Sequence, residues 1–182
     1  MMNTPMADRM NHIAGSVIRK FAEKAATNPN LITFANGNPS AVTFPVADMK
    51  RFYDEALTTG YSESLMQYGT VQGFMPLVDF LKKRLAKKYG FDWEENDLYI
   101  VSGGTQAVDV ASKIWLQKGD TVIVEEPSYA SCYNIFRCYE ANLTGVPIGE
   151  DGIDVDAVER VLKNDKTVKM IYTIPSFQNP TG

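Results

Sequence analysis

The sequence predicts an α/β protein in three layers, with a mostly parallel sheet between helices and an N-terminal helical arm ahead of it. From residue 97 onward, short apolar runs rich in Val and Ile alternate with amphipathic segments of helical period. Buried parallel strands have continuous apolar sequences of this kind, because both of their faces are covered. The alternation is typical of βαβ units, with helices on both sides of one sheet.

Before residue 97 the pattern predicts three helices, one strand-like run and one long irregular stretch. In order, these are a helix over 16–26, a strand-like run over 31–35, a helix over 47–58, an irregular stretch over 61–73 and a helix over 74–89. The first helix is followed by Asn28-Pro29-Asn30 and the last by Gly90, and such residues end helices. Long irregular stretches in compact domains are more often functional than accidental.

After residue 97 the pattern predicts four strands and three helices. The strands are 98–102, 121–125, 143–148 and 168–174, and the helices are 106–117, 129–139 and 154–162. Asp154 is expected to cap the last helix, because an aspartate side chain can accept a hydrogen bond from a first-turn N–H group. With 182 residues, 45% of them apolar, the chain can bury one substantial core.

The composition excludes several function classes. A net charge of −4, with basic and acidic residues interspersed, argues against a nucleic-acid surface. The single histidine, His12, lies far in sequence from every glycine-rich loop, which argues against Ser–His and Cys–His catalysis and against histidine-rich metal sites. Cys132 and Cys138 have the spacing of neither a redox pair nor a zinc knuckle. No run is apolar enough to cross a bilayer and no signal peptide is evident, so we expect a cytoplasmic protein without membrane partners.

Three loops that follow predicted strands carry residues suited to a ligand. Ser102-Gly-Gly-Thr-Gln106 lies between a strand and a helix, where backbone N–H groups and the helix dipole attract an anion such as a single phosphate. An ordinary tight turn explains this glycine pair equally well. Tyr129 follows the next strand and can stack on a flat ring, or pack on the core as a helix-start residue. Asn179, after the last strand, offers a neutral donor and acceptor, although Asn-Pro-Thr-Gly is also a good turn sequence.

Taken together, these motifs resemble those of the fold-type I pyridoxal 5′-phosphate (PLP) enzymes, the aspartate aminotransferase superfamily. Ser-Gly-Gly-Thr-Gln, Glu-Glu-Pro-Ser-Tyr and Phe-Gln-Asn-Pro-Thr-Gly occur in the family's order at about its spacings. Four further segments resemble those of the aminoadipate/kynurenine aminotransferase branch of this superfamily. They are Ser-Val-Ile-Arg (16–19), Asn-Gly-Asn-Pro (36–39), Phe-Pro (44–45) and Gln-Tyr (67–68). Some members of the branch have Ser-Gly-Ser-Gln-Gln in the first loop, so individual phosphate contacts can differ here.

The resemblance implies a role for each matching residue. Gly104, Thr105 and Gln106 would hold the cofactor phosphate. Tyr129 would stack on the pyridine ring, and Asn179 would bond its 3′-oxygen and border the substrate. Three further residues would lie elsewhere around the site: Tyr68 at the phosphate of the neighbouring subunit in a homodimer, and Arg19 and Gly37 beside the substrate. For Arg19, a solvated charge on a helix remains an alternative.

The resemblance also implies that this chain is the N-terminal part of a longer enzyme. Residues 1–45 would form an arm and a small-domain segment, and 46–182 the first part of the PLP-binding large domain. The family's Schiff-base lysine and carboxylate-binding arginine would lie beyond residue 182, so we expect the chain to be inactive alone. Later strands of the family's sheet would be the neighbours of the strand over 98–102.

The implied activity is transfer of an amino group between an amino acid and a 2-oxo acid. The implied partners are those two substrates and a second subunit, with no metal and no nucleic acid. Two alternatives stay open: a PLP-dependent lyase or synthase of the same fold, and a non-catalytic regulatory domain derived from it.

Overall fold

The protein forms two compact units. The computed structural model describes residues 5–13, 15, 17–28, 30–32, 37 and 39–182. One unit comprises Met1–Ile32 with Ser102–Gly182, and the other comprises Thr33–Val101.

The first unit contains a four-stranded sheet in the order β3–β2–β1–β4. Its strands are β1 (Thr121–Glu126), β2 (Asn142–Gly149), β3 (Gly152–Ile153) and β4 (Val168–Tyr172). β1 lies at the centre and is parallel to both β2 and β4, whereas β2 and the two-residue β3 form an antiparallel pair. The described sheet is therefore mostly parallel, as predicted.

Seven α-helices lie in the described part of the chain. They are α1 (Val17–Thr27), α2 (Val46–Thr58), α3 (Ser62–Met66), α4 (Met75–Tyr89), α5 (Gly104–Trp115), α6 (Ala130–Cys138) and α7 (Val155–Asn164). Short 3-10 turns occur at Asp8–His12 and Ala41–Thr43. Six of the helices match the six predicted from helical spacing, with ends that differ by at most two residues.

Alternate residues of β1 face two separate apolar clusters, because successive side chains of a strand point to opposite faces. Val122 and Val124 pack with Phe136 of α6, and Val108 of α5 borders that cluster. Ile123 packs on the other face with residues of β2 and α7, where Val146 and Ala157 are the buried members. Helices thus cover both faces of the sheet, which confirms the predicted three-layer α/β/α class.

The amino edge of this sheet, where β1 and β2 begin, is closed by hydrogen bonds around Asp120. The Asp120 carboxylate accepts from the Gln117 N–H at 3.0 Å, just after α5. The Asp120 carbonyl accepts from the Asn142 N–H at 2.8 Å, at the start of β2. Because the end of α5 is fixed at this amino edge, the start of α5 points toward the opposite, carboxyl edge.

The second unit is built around α2, α3 and α4. Val78 of α4 is fully buried. Lys82 of α4 pairs with Asp97 at an Nζ–Oδ1 distance of 2.7 Å, and its carbonyl accepts from the Trp93 ring N–H at 2.9 Å. α4 ends at Gly90 in the left-handed region, with φ of 67°, as predicted for a glycine that stops a helix.

The structure corrects three sequence predictions. Residues 98–102 are not a strand, because no described strand pairs with them; the Ile100 N–H instead donates to the Gln72 carbonyl at 2.8 Å. The stretch predicted to be irregular, 61–73, contains the helix α3. The short strand β3 was missed because two residues carry no alternating pattern. Most of the strand-like run over 31–35 lies outside the described residues.

Neither a helix suited to cross a membrane nor a metal-binding cluster occurs among the described residues. None of their helices has the length and apolarity that a membrane crossing demands. No group of three or more His, Cys, Asp or Glu side chains in that part of the chain is arranged as a metal site. Both cysteines are free thiols.

Replacing Asp154 by alanine should destabilise α7 specifically. The Asp154 carboxylate accepts from the Ala157 N–H at 2.8 Å, as the sequence predicted for a helix cap. Loss of such a cap costs about 1 kcal/mol. We expect a lower urea midpoint and faster hydrogen exchange at the Ala157 amide. Asp156→Ala removes an exposed first-turn carboxylate without capping contact and should cost only about 0.3 kcal/mol. Equal effects of the two substitutions would contradict the capping role.

Candidate functional site

The candidate site lies along the carboxyl edge of the sheet, which is formed by the segments that follow β1 and β4 and by the start of α5. Ligands of open α/β sheets bind at this edge, because the loops that leave parallel strands meet there. Of the predicted site residues, Gly104, Thr105, Gln106, Tyr129 and Asn179 lie in these segments.

The Gly-Gly-Thr turn presents unpaired backbone donors. Gly103 precedes α5 with φ of 86°, a left-handed conformation that favours glycine, and no side chain caps the helix. The first helical bond runs from the Ala107 N–H to the Gly103 carbonyl. The N–H groups of Gly104, Thr105 and Gln106 have no hydrogen-bond partner within the described residues. Donors of this kind, at the positive end of a helix dipole, form an anion site.

The side chain of Gln106 supports the turn from within the helix. Its carboxamide oxygen accepts a hydrogen bond from the Ser102 N–H. The carboxamide NH₂ group donates to no described residue. A Cβ atom built on Gly103 or Gly104 would meet no atom within 4 Å, so the space beside the turn is open.

Tyr129 stands at the start of α6, directly after the loop that leaves β1. Its carbonyl accepts from the Cys132 N–H at 3.0 Å, which ties Tyr129 to the first turn of the helix. Tyr133, one turn further along, donates from its hydroxyl to the Glu125 carbonyl at 2.8 Å. Tyr129 is 36% exposed, so part of its ring remains accessible beside the edge.

Glu125, near the end of β1, joins the two strand-end loops through a buried carboxylate that is 1% exposed. One carboxylate oxygen accepts from the Thr173 hydroxyl and, at 3.0 Å, from the Ile174 N–H. The other accepts from the Gln178 NH₂ group at 3.0 Å. Gln178 also donates to the Pro127 carbonyl at 2.9 Å, so the segments after β1 and β4 are held side by side.

Gln178 also shapes the turn that carries Asn179. Its side-chain oxygen accepts from the Thr181 N–H at 2.9 Å and from the Thr181 hydroxyl at 2.8 Å. Its backbone carbonyl accepts from the Gly182 N–H at 2.7 Å. Asn179 therefore lies in a turn closed by hydrogen bonds on both sides of it, and its own carboxamide bonds to no other described residue.

The titratable groups around this edge have shifted pKa values. Burial raises the pKa of Glu125, but its bonds from Thr173, Gln178 and Ile174 outweigh burial, and the net pKa lies below its ordinary value. The pKa of Tyr172 lies above its ordinary value. Burial is the largest cause, and the contact with the Cys132 thiol raises this pKa further. Glu125 is therefore an anion at neutral pH, and Tyr172 is a neutral phenol.

The Ser128 hydroxyl is buried without a hydrogen-bond partner. Among the described residues it is the one buried side-chain oxygen or nitrogen in this condition. A buried hydroxyl without a partner costs about 1–3 kcal/mol, so such a group in a folded protein needs an explanation. Ser128 directly precedes Tyr129 in the segment that follows β1.

The remaining predicted residues lie away from these loops in the sequence. Arg19 is in α1 of the same unit, and its side chain lies outside the described part of the chain. Gly37 and Tyr68 belong to the second unit, in which the Tyr68 side chain is 98% exposed. Their proposed roles and those of the edge residues stay predictions.

Sequence reasoning missed Glu125, Gln178 and Ser128. Glu125 was predicted to end the strand over 121–125 and to begin the motif that follows it, but no role was assigned to its carboxylate. A signal was present: a carboxylate that directly continues the apolar run Thr121–Val124 in a central strand is expected to be buried and to need partners. Nothing local to residue 178 shows that its side chain reaches back to β1, because that contact spans 53 residues.

Comparison with known proteins identifies the family. Residues 29–182 match the model of the family described as aminotransferase class I and II. The chain is 34% identical over 171 residues to aromatic-amino-acid aminotransferase 1 of Thermococcus litoralis, covering 92% of this chain and 40% of that protein. The chain therefore belongs to the class I and II aminotransferase family.

Two solved structures show the same fold. Kynurenine aminotransferase of Pyrococcus horikoshii, solved with PMP and with kynurenine and its product, matches with a TM-score of 0.88 and 34% identity, over 97% of this chain and 44% of that one. The α-aminoadipate aminotransferase LysN of Thermus thermophilus, complexed with N-(5′-phosphopyridoxyl)-L-leucine, matches with a TM-score of 0.78 and 30% identity, over 97% and 42%. The chain thus spans about two fifths of the length of these relatives.

Replacing Ser128 by alanine should not lower the free energy of unfolding of the cofactor-free protein. The substitution removes a buried hydroxyl that has no protein partner, so we expect no change or a gain of up to about 1 kcal/mol. Urea denaturation measures the difference. Ser112→Ala is the matched control, because the Ser112 hydroxyl is also buried but donates to the Val108 carbonyl at 2.7 Å. A loss of stability in Ser128→Ala as large as in Ser112→Ala would show that the Ser128 hydroxyl has a partner in the free protein.

Proposed function

We propose that the complete protein is a PLP-dependent aminotransferase that moves an amino group between an amino acid and a 2-oxo acid. The proposal concerns the protein as a whole, because this chain spans less than half the length of its relatives. Family membership supports the reaction class, and the PMP and phosphopyridoxyl compounds in the related structures support the cofactor. We further propose a cytoplasmic homodimer, in which residues 1–45 form the arm and 46–182 the first part of the large domain.

One observation carries the cofactor proposal: the edge offers donors that the chain itself leaves unused. The N–H groups of Gly104, Thr105 and Gln106 and the Thr105 hydroxyl suit a phosphate group. The phenol ring of Tyr129 suits a flat pyridine ring, and the free carboxamide of Asn179 suits its 3′-oxygen. This donor set fits PLP.

In the proposed enzyme, PLP supplies an electron sink for the chemistry at the amino acid's α-carbon. The residues of this chain bind and orient it. The start of α5 fixes the phosphate, which sets where the ring lies, and Tyr129 covers one face of the ring. Asn179 donates a hydrogen bond to the 3′-oxygen and stabilises its ionised form. Arg19 and Gly37 would border the substrate.

The relatives indicate the substrate class. They are named for aromatic amino acids, kynurenine and α-aminoadipate, which share a long or bulky side chain. We therefore propose an amino donor with a bulky aromatic, aliphatic or long acidic side chain. The experiment is a coupled assay on the complete protein with PLP, 2-oxoglutarate and phenylalanine, kynurenine, leucine or 2-aminoadipate as donor. Formation of ammonia without amino transfer would indicate a lyase instead, and PLP binding without turnover of any donor would indicate a non-catalytic domain.

Asn179→Ala should weaken PLP binding by roughly tenfold or more, since a hydrogen bond to an ionised oxygen contributes about 1.5–3 kcal/mol. Equilibrium titration followed by visible absorbance measures the dissociation constant. Asn96→Ala is the control, because Asn96 is an exposed loop residue whose side chain donates only to the Asp92 carbonyl. If Asn179→Ala and Asn96→Ala bind PLP equally well, the role proposed for Asn179 is wrong.

Mixing two defective variants should test whether Tyr68 acts in the partner's site. In a heterodimer of Tyr68→Phe and Asn179→Ala subunits, the site of the Tyr68→Phe subunit contains Asn179 of its own chain and receives Tyr68 from the other. That site is intact, so equal mixing should restore about a quarter of the unmodified activity in a two-fold symmetric dimer. The same assay measures it after subunit exchange. No recovery, despite heterodimers detected by native mass spectrometry, would place Tyr68 in its own subunit's site or outside both.

A further inference from the structure

The carboxylate of Glu125 is buried and forms no ion pair with any described residue. A buried charge is costly unless it is compensated. Here the compensation consists of hydrogen bonds from Thr173, Ile174 and Gln178, all in the segment that follows β4. A carboxylate at this position is therefore linked to the segment that carries Asn179.

The link to Asn179 runs through its neighbour Gln178, which is 7% exposed. Both polar atoms of the Gln178 side chain are engaged, the nitrogen with Glu125 and Pro127 and the oxygen with Thr181. The turn over 178–182 is therefore fixed at residues 178 and 181, on either side of Asn179. The Asn179 carboxamide has no described partner of its own, so its position depends on these neighbours.

We propose that Glu125 is a positioning residue, which acts through Gln178 to aim the Asn179 carboxamide at the 3′-oxygen of the cofactor. This inference rests on the proposed function, because it assumes that PLP binds at the edge. It adds a residue that touches neither cofactor nor substrate. Without the Glu125 carboxylate the turn loses its attachment to β1, and Asn179 loses its fixed direction.

The test uses Glu125→Gln in the complete protein. The glutamine keeps the shape and one acceptor oxygen for Thr173 and Ile174, but its NH₂ group then faces the NH₂ group of Gln178, and that bond is lost. Glu126→Gln is the matched control, because Glu126 is the next residue and its side chain is exposed. The double variant Glu125→Gln with Gln178→Glu restores a donor opposite an acceptor, although the new carboxylate also faces the Pro127 carbonyl.

The first measurement is hydrogen exchange without cofactor. Glu125→Gln should speed exchange at the Thr181 and Gly182 amides, both of which donate to Gln178. Glu126→Gln should leave them unchanged, and the double variant should recover part of the protection. Unchanged protection in Glu125→Gln would overturn the inference, because the turn would then not depend on the carboxylate.

The second measurement is the pH at which the visible absorption of bound PLP changes. A loosened Asn179 stabilises the ionised 3′-oxygen less, so Glu125→Gln should move this midpoint upward, by up to about one pH unit. Asn179→Ala should move it at least as far, and adding Glu125→Gln to Asn179→Ala should have no further effect. A residue that only supports the fold would give additive effects or none.

The outcomes separate this inference from the proposed function. If the unmodified protein binds no PLP, the proposed function fails and the inference fails with it. If it binds PLP but Glu125→Gln leaves the midpoint unmoved, or its shift adds to that of Asn179→Ala, only the positioning role of Glu125 is overturned. A shift that is absent in the Asn179→Ala background supports the role.

Discussion

The candidate site depends on the hydrogen bonds that satisfy the buried Glu125 carboxylate, and these depend on strand register. β1 and β4 pair with Val122 opposite Met170 and Val124 opposite Tyr172, after an irregularity at the start of the pairing. Continuing this register places Glu125 opposite Thr173, the first residue after β4. The Glu125 carboxylate can therefore accept from the hydroxyl of Thr173 and the amide of Ile174, which lie just past the end of β4. A shift by one residue would point the carboxylate to the other face of the sheet.

The helices α5 and α7 differ in whether the protein itself provides partners for their first N–H groups. The start of α7 is closed by the Asp154 side chain, which accepts from the Ala157 N–H. The start of α5 follows a glycine with no side-chain cap, and its first N–H groups have no described partner. In addition, the Asn179 carboxamide in the segment that follows β4 has no described partner. These unused donors lie at the edge where an anionic, ring-containing ligand is proposed.

Local pattern predicted most of the fold but not the contacts that assemble the site. The helices and the buried strands could be predicted from the spacing of apolar residues and from the residues that end helices. Asp154 could be predicted as a cap because that interaction spans only three residues. The strand predicted at 98–102 failed because a strand requires a partner, and an apolar run such as Leu98–Val101 does not show whether one is present. Glu125 and Gln178 were missed for the same reason: their contact joins residues 53 positions apart. The motifs at 102–106, 125–129 and 177–182 indicated the segments of the proposed site, but not which of their residues hold the others in place.

Tyr129 is connected to the core through the first turn of α6. The Tyr129 carbonyl accepts a hydrogen bond from the Cys132 N–H, and the Cys132 thiol donates to the Tyr172 hydroxyl at 3.2 Å. The Tyr172 ring in turn packs edge-on against Phe136, with ring centroids 5.6 Å apart. Tyr129 is thus connected through α6 to β4, the strand that leads to Asn179. Side chains anchored to packed helices and strands keep their geometry better than side chains on free loops. The proposed ring-stacking and 3′-oxygen contacts would therefore share one rigid support, although their residues lie 50 positions apart in sequence.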